Sequence, residues 1–250
     1  MRHFVFVSWG NDSIALVQWL HEHGVYECEC IFSDTGWAAP WWSERVERGE
    51  ALAERYGFSA HRIKSIGMHK LVQIKKGWPS NQHQFCTKAL KIEPALEWMD
   101  AADPEADAVC VIGIRREESR RRSTFPENTV ESPGHGGRDL WAPMVRVLKD
   151  ERDELIRRAG FDVLPHRSME CYPCVNANRA DLRMLDEQRV SEIEAMEEGM
   201  GFTKNGKPRT MFRPHRFKGA VGIREVKRWA DSERGEYEPE PACDSGWCGT

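Results

Sequence analysis

The segment 4–13 constrains this chain more than any other. Phe4-Val5-Phe6-Val7 is a short apolar run, Ser8-Trp9-Gly10-Asn11-Asp12-Ser13 follows it, and Ile14, Ala15, Val17 and Leu20 then recur at helical spacing toward a stop near Gly24. The order is strand, loop, helix. A loop that leaves a strand and enters a helix presents unpaired backbone N–H groups and the positive end of the helix dipole, which suits a phosphate. Ser8 and Ser13 add hydroxyl donors, Gly10 permits close backbone approach, and Asp12 can cap the helix or organise a magnesium ion. The chain has no GxxxxGK[ST], so this is not a Walker loop.

The pattern repeats. Cys28 to Phe32 is a second apolar run that stops at Ser33-Asp34-Thr35-Gly36, and a charged, helix-prone segment over 40–56 ends at Gly57. Residues 61–64 suit a third strand, and 107–112 form a fourth run of the kind covered on both faces. This alternation predicts an α/β fold with a doubly wound, mostly parallel sheet. A helix is predicted to begin afresh at Pro94, with Leu96 and Met99 toward the core, and another over 150–159. Beyond Phe161 the character changes: 180–200 reads as one amphipathic helix and 219–230 as another. We expect an α/β domain over 1–165 and a cysteine-containing, basic helical region over 166–250.

With 250 residues, 40% of them hydrophobic, the chain can bury a real core, and a net charge of -4 selects no class of partner. The N-terminal apolar run falls far short of a signal segment or of the roughly 20 residues of a membrane span, so a cytoplasmic protein without a membrane partner is expected. In that reducing compartment the eight cysteines read as metal ligands, reactive thiols or buried small hydrophobes, not disulfides. Cys28, Cys30 and Cys110 fall on predicted strands, with Cys28 and Cys30 on one face, as core residues would. Cys171-Tyr172-Pro173-Cys174 has a spacing at which two thiolates meet one metal, and Cys243 with Cys248 supplies a second pair. A redox dithiol would instead open a helix after a strand, which this CxxC does not.

Arginines 115, 116, 120, 121 and 122 cluster past the end of the fourth strand, where open α/β sheets bind ligands, and guanidinium forks suit phosphate or sulfate. Arg115, two residues past Gly113, is the strongest candidate; Arg121 and Arg122 read equally well as a solvated surface. A second basic region, from Lys204 through Arg228 with Phe202, Phe212, Phe217 and Trp229 interleaved, suits a nucleic-acid backbone, a small polyphosphate or a merely solvated tail.

Four ordered motifs resemble one superfamily. Ser8 to Ser13 resembles the SGGxDS PP-loop of the ATP-pyrophosphatase and phosphoadenosine phosphosulfate (PAPS) reductase superfamily, the adenine nucleotide alpha-hydrolases. Trp9 replaces the first glycine, where a tryptophan at positive φ would be strained. Ile31 to Gly36 is similar to the second-strand DTG motif, Phe85 to Pro94 to the Cys-Thr-x-x-Leu-Lys-x-x-Pro segment, and Gly113 to Arg120 to the GxRxxES motif. The resemblance implies an adenine nucleotide at Ser8, Trp9, Gly10, Asn11, Asp12 and Ser13, at Ser33, Asp34, Thr35 and Gly36, and at Gly113 and Arg115, with Mg2+ and with Asp12 and Arg115 catalytic. It also implies a 4Fe-4S cluster on Cys86, Cys171, Cys174 and, as the fourth ligand chosen, Cys243, with Zn2+ as the alternative. The implied function is ATP pyrophosphatase-type activation of a nucleic-acid or nucleotide acceptor, coupled to iron-sulfur-dependent transfer from a sulfur donor. Trp247-Cys248-Gly249 faintly resembles the Cys-Gly of sulfonucleotide reductases, so the alternative is a PAPS or adenylylsulfate reductase with Cys248 as nucleophile and a thioredoxin-like reductant. A third alternative, from another class, is a nucleotide- or nucleic-acid-binding protein with a structural zinc site.

Overall fold

The hydrophobic period sets the order of elements. The computed structural model describes residues 1–237. In chain order its helices and strands are β1 (His3–Val7), α1 (Asn11–Glu22), β2 (Cys28–Asp34), α2 (Trp42–Arg55), β3 (Ser59–Lys64), α3 (Met68–Lys75), α4 (Phe85–Thr87), α5 (Glu93–Ala102), β4 (Val109–Ile112), β5 (Asn128–Thr129), β6 (Leu140–Trp141), α6 (Lys149–Arg158), α7 (Arg179–Arg183), α8 (Glu187–Met200) and α9 (Gly222–Asp231). Two compact units divide the chain: Met1–Gly67 with Thr87–Cys171, and Met68–Cys86 with the chain from Tyr172 onward.

The first unit holds a six-stranded sheet in the order β3-β2-β1-β4-β6-β5, parallel except where β5 meets β6. It is the doubly wound, mostly parallel α/β sheet expected from the alternation. Phe4, Ile31, Ile63 and Cys110 project to one face and pack with Ala95 and Met99 of α5. The alternate positions Val5, Val7, Cys28, Cys30 and Val111 point the other way and are buried as well. Both faces are therefore covered, which is why the strands read as near-continuous apolar runs. Cys28, Cys30 and Cys110 are core residues, and burial pushes the thiols of Cys28 and Cys110 up to about 12, so they stay protonated and unreactive.

Two helix predictions need correction. No helix starts afresh at Pro94: a π-helical turn over Lys88–Ile92 runs straight into α5. Pro94 follows closely on that turn, where the change from i→i+5 to i→i+4 bonding accommodates a residue that has no N–H to donate. The single helix expected over 180–200 is two. Asn178 accepts from the Asp181 N–H at 3.0 Å and Asp186 from the Arg189 N–H at 2.7 Å, so the segment carries two side-chain N-caps. Between them the Tyr172 hydroxyl takes the Met184 carbonyl that the break exposes.

In the second unit α9 packs against α7 and α8. Glu197 of α8, almost fully buried, accepts from the Met211 N–H at 2.8 Å and from the Ile223 N–H, in the first turn of α9, at 2.9 Å. Burial outweighs these two donors and pushes its carboxyl from the ordinary 4.5 up to about 7. The folded unit thus holds a proton that the unfolded chain has already released between those two values. Stability from this group is fully present below pH 4.5 and is lost as pH rises through 7, about 3 kcal/mol in all at about 1.4 kcal/mol per pH unit. Denaturant unfolding at pH 5 and pH 8 should show this fall in the native chain, and Glu197→Gln should flatten it.

Candidate functional site

The strand order reverses between β1 and β4, and their carboxyl ends open a crevice, the usual ligand position in such sheets. A cleft of about 360 Å³ lies there. Its apolar wall is Phe6, Ile31, Ala95, Leu96 and Met99, its polar wall Ser8, Asp12, Ser13 and Ser33, and its basic groups Lys91, Arg122 and His135. That mixture, apolar with a few convergent polar groups, is the make-up of a small-molecule site. Gly113 forms its edge: a Cβ there would stand 3.2 Å from the Asp12 carbonyl, a tight contact, so glycine eases the approach of the end of β4 to the loop. His135 is held by Ser132 Oγ at 2.8 Å from Nδ1, and burial lowers its pKa, so it is neutral at physiological pH.

Local hydrogen bonds shape the loop at 8–13. Ser13 Oγ accepts from the Ser8 N–H at 2.9 Å, closing the turn, and the Ile14 N–H bonds the Gly10 carbonyl to begin α1. Gly10 has an ordinary φ of -75, so its role is steric: an added Cβ would meet Ser168 Cβ at 2.8 Å. Asn11 is occupied structurally, its Nδ2 donating to the Leu164 carbonyl at 2.8 Å and its Oδ1 accepting from the Leu164 N–H at 3.0 Å. Asp12 Oδ1 takes Arg115 Nε at 2.7 Å and faces Arg152 Nη1 at 3.6 Å. Arg115 is only 4% exposed, its guanidinium turned to Asp12 and Glu117 and its N–H bonded to Glu118. It positions Asp12, while the arginine lining the cleft is Arg122.

A second cavity, of about 580 Å³, shares Ser8 and Asp12 with the first and lies over the start of α1. Lys149, Arg152, His166 and Arg167 make it basic. One of its walls is the segment 163–168, part of a strap across the strand ends that nothing in the sequence signalled. The strap is tied to the loop by Asn11, to Ala39 by its N–H to the Met169 carbonyl at 2.9 Å, and to Thr35, whose Oγ1 donates to the Glu170 carbonyl at 2.7 Å. Glu170 also pairs with Lys91.

Of the second motif, Ser33 lines the cleft and the rest build a turn. Asp34 Oδ1 accepts from the Gly36 N–H at 2.9 Å, Gly36 has φ +60, and Thr35 is buried with its hydroxyl on the strap.

Trp9 does adopt positive φ, +58, at a cost of roughly 1–2 kcal/mol for a residue with a Cβ. Its ring is fully buried, and a Cβ on Gly49 of α2 would come within 2.3 Å of it. Its Nε1–H is buried without a hydrogen-bond partner among the described residues, so the apolar burial of the ring has to offset that loss as well as the backbone strain. Arg45 Nε bonds the Trp9 carbonyl at 2.8 Å and Trp42 Nε1 the Ser8 carbonyl at 3.2 Å, so α2 fixes the loop from behind.

Cys171 Sγ is 3.9 Å from Thr35 Oγ1, and Cys174 Sγ accepts from the Asn176 N–H at 3.5 Å. Among the described residues, no three His, Cys, Asp or Glu side chains are grouped so as to hold a metal ion. Cys243 and Cys248 lie outside the described residues.

The basic region of the second unit is largely occupied internally. Arg209 and Arg216 bond backbone carbonyls, Arg224 pairs with Glu187 and Glu194, Lys227 with Asp231, and Arg228 with Glu225.

Gly49→Ala, which in an exposed helix would stabilise by up to about 1 kcal/mol, should here cost about 1–3 kcal/mol by driving Cβ into the Trp9 ring. Trp9→Gly should itself destabilise by emptying the space its ring fills, but in that background Gly49→Ala should no longer cost anything, because the clash is gone. Thermal unfolding of the four proteins measures the coupling.

No curated protein matches the sequence. Among solved structures, a PAPS reductase from Candida auris in complex with phosphate is 16% identical, with a TM-score of 0.47, over 65% of this chain and 75% of that one. The U34-tRNA thiolase NcsA from Methanococcus maripaludis, solved with its 4Fe-4S cluster, is 13% identical, with a TM-score of 0.48, over 100% of this chain and 76% of that one. The family model for the phosphoadenosine phosphosulfate reductase domain matches residues 2–182, which take in the loop, the cleft and the strap. The chain belongs to the phosphoadenosine phosphosulfate reductase domain family.

Proposed function

We propose that the chain is an enzyme that binds ATP with its nucleoside in the cleft between β1 and β4 and its phosphates over the start of α1, and that it adenylates an acceptor for sulfur transfer. One observation carries this reading: Ser8 and Asp12 line both cavities, so a single ligand with an apolar ring at one end and negative charge at the other fits across the loop. The N–H groups and dipole of α1 favour the anion, and Lys149 and Arg152, both held by Asp153, line the same cavity.

In the reaction an acceptor oxygen attacks the α-phosphorus, the bond to the bridging oxygen breaks, and pyrophosphate leaves with its electron pair. The acceptor is left as an adenylate, from which a sulfur nucleophile then displaces AMP. Preorganised donors on the phosphate oxygens carry the acceleration: the loop amides, the hydroxyls of Ser8 and Ser13, and Arg152. Asp12 fits a magnesium site made with substrate phosphates, since both of its arginine contacts use Oδ1 and Mg2+ needs only one or two carboxylates. Bound there, the ion would neutralise charge on the leaving pyrophosphate.

A second reading is favoured by the family match. There a Cys248 thiolate attacks the sulfur of PAPS or adenylylsulfate and the adenosine phosphate leaves. The resulting enzyme thiosulfonate is reduced by two thioredoxin thiols, which become a disulfide as sulfite is released.

Calorimetry should show ATP binding that weakens about tenfold or more in Arg152→Ala, as expected for a lost charge-assisted phosphate contact. Pyrophosphate release should fall at least about a hundredfold in Asp12→Asn. Thioredoxin-dependent sulfite release that disappears in Cys248→Ser, without pyrophosphate release from ATP, would establish the second reading and overturn the first. If anaerobically purified protein carries iron and sulfide, Cys243→Ser should remove them, as measured by elemental analysis.

A further inference from the structure

A groove outside the strap has no part in the reading above. It measures about 170 Å³ and is lined by Trp41, Trp42, Arg45, Arg48, Leu164 and His166, with Glu44 as its one carboxylate. That volume is below the range of enclosed small-molecule sites, so the groove can seat one planar group and not a whole nucleotide. Leu164 and His166 also line the basic cavity, so groove and cavity are neighbours at those two residues.

The chemistry of the lining is specific. Trp41 is 43% exposed at the start of α2, beside Trp42, which is buried. Arg45 and Arg48 lie one turn further along the helix, both over the Phe161 ring, at 5.3 and 4.7 Å from its centroid. Backbone carbonyls hold them too: Trp9 takes Arg45 Nε at 2.8 Å, and Gly160 takes Arg48 Nη2 at 3.4 Å. Burial pulls the Arg45 guanidinium down to about 10, still cationic at neutral pH. An exposed indole flanked by fixed guanidinium groups, beside a basic cavity of about 580 Å³, matches the needs of a nucleotide chain: a stacked base, then phosphodiesters.

We propose that this groove is the acceptor subsite and that the acceptor is a single-stranded nucleic acid, one base stacked on Trp41 and its backbone running past Arg45, Arg48 and His166 toward Asp12. The assignment of the strand as acceptor rests on the adenylation reading; the binding itself does not. Short labelled single strands of RNA and of DNA, titrated with the full chain and followed by fluorescence anisotropy, test it, with ATP binding measured calorimetrically alongside. Binding should fall steeply with salt. Trp41→Ala and Arg48→Ala should each weaken it about tenfold, Trp41→Phe should retain it, and ATP affinity should not change in any of them. A preference for RNA or for DNA identifies the sugar of the acceptor. The proposal is overturned if neither strand binds while ATP does, if Trp41→Ala binds as tightly as the native chain, or if the loss follows Lys204→Ala and Lys207→Ala instead. Strand binding with the expected variant pattern but no ATP binding would support the groove and sink the adenylation reading.

Discussion

The contact between Arg115 and Asp12 joins the two halves of the sheet at the point where its strand order turns around. Arg115 follows β4, Asp12 opens α1 after β1, and no neighbouring strand pair other than β1 and β4 brings those chain ends together. A guanidinium so deeply buried needs its charge answered, and Asp12 and Glu117 answer it. Because Asp12 is held in this way, it is oriented before any ligand arrives. Gly113 eases the contact, since a side chain there would press on the Asp12 carbonyl.

The loop is then clamped from two other directions. From the strap, Asn11 engages both backbone groups of Leu164, and Gly10 admits Ser168 to within van der Waals contact. From α2, the glycine at 49 leaves room for the Trp9 ring, and Arg45 and Trp42 bond the carbonyls of Trp9 and Ser8. A strained backbone residue survives when its surroundings over-determine it, and at Trp9 they do. The tryptophan that breaks the glycine pattern of the PP-loop thus serves as an internal anchor in place of a flexible turn.

Much of the first unit was legible in the sequence, because buried parallel strands announce themselves as apolar runs and helices as period 3.6. The runs at Phe4, Cys28 and Val109 became β1, β2 and β4, and the switch point with its loop followed from their order. The helix over 180–200 was misread because its apolar residues keep one period across a break that only two N-caps and a tyrosine reveal. The grouping of 68–86 with the chain beyond Tyr172 left no local trace either, since it depends on contacts between residues a hundred positions apart. The strap had no motif to find: apart from the Glu170 carboxylate, its bonds are made by main-chain groups, and any sequence provides those.

What the sequence by itself determined is therefore the strand–loop–helix at 4–13, the α/β class, and the residue types able to meet a nucleotide. What the tertiary structure decided is the job of each. Asn11, Thr35 and Arg115 fold inward to hold the loop and strap, while Lys91, Arg122, Lys149 and Arg152 line the two cavities. Ion pairs hold many of these groups in place in both units: Lys91 on Glu170, Lys149 and Arg152 on Asp153, and Arg224, Lys227 and Arg228 on neighbouring carboxylates. The physical reason is direction: a motif fixes which functional group stands at a position, but whether it faces a ligand or a neighbour depends on what packs against it, and those partners come from distant parts of the chain.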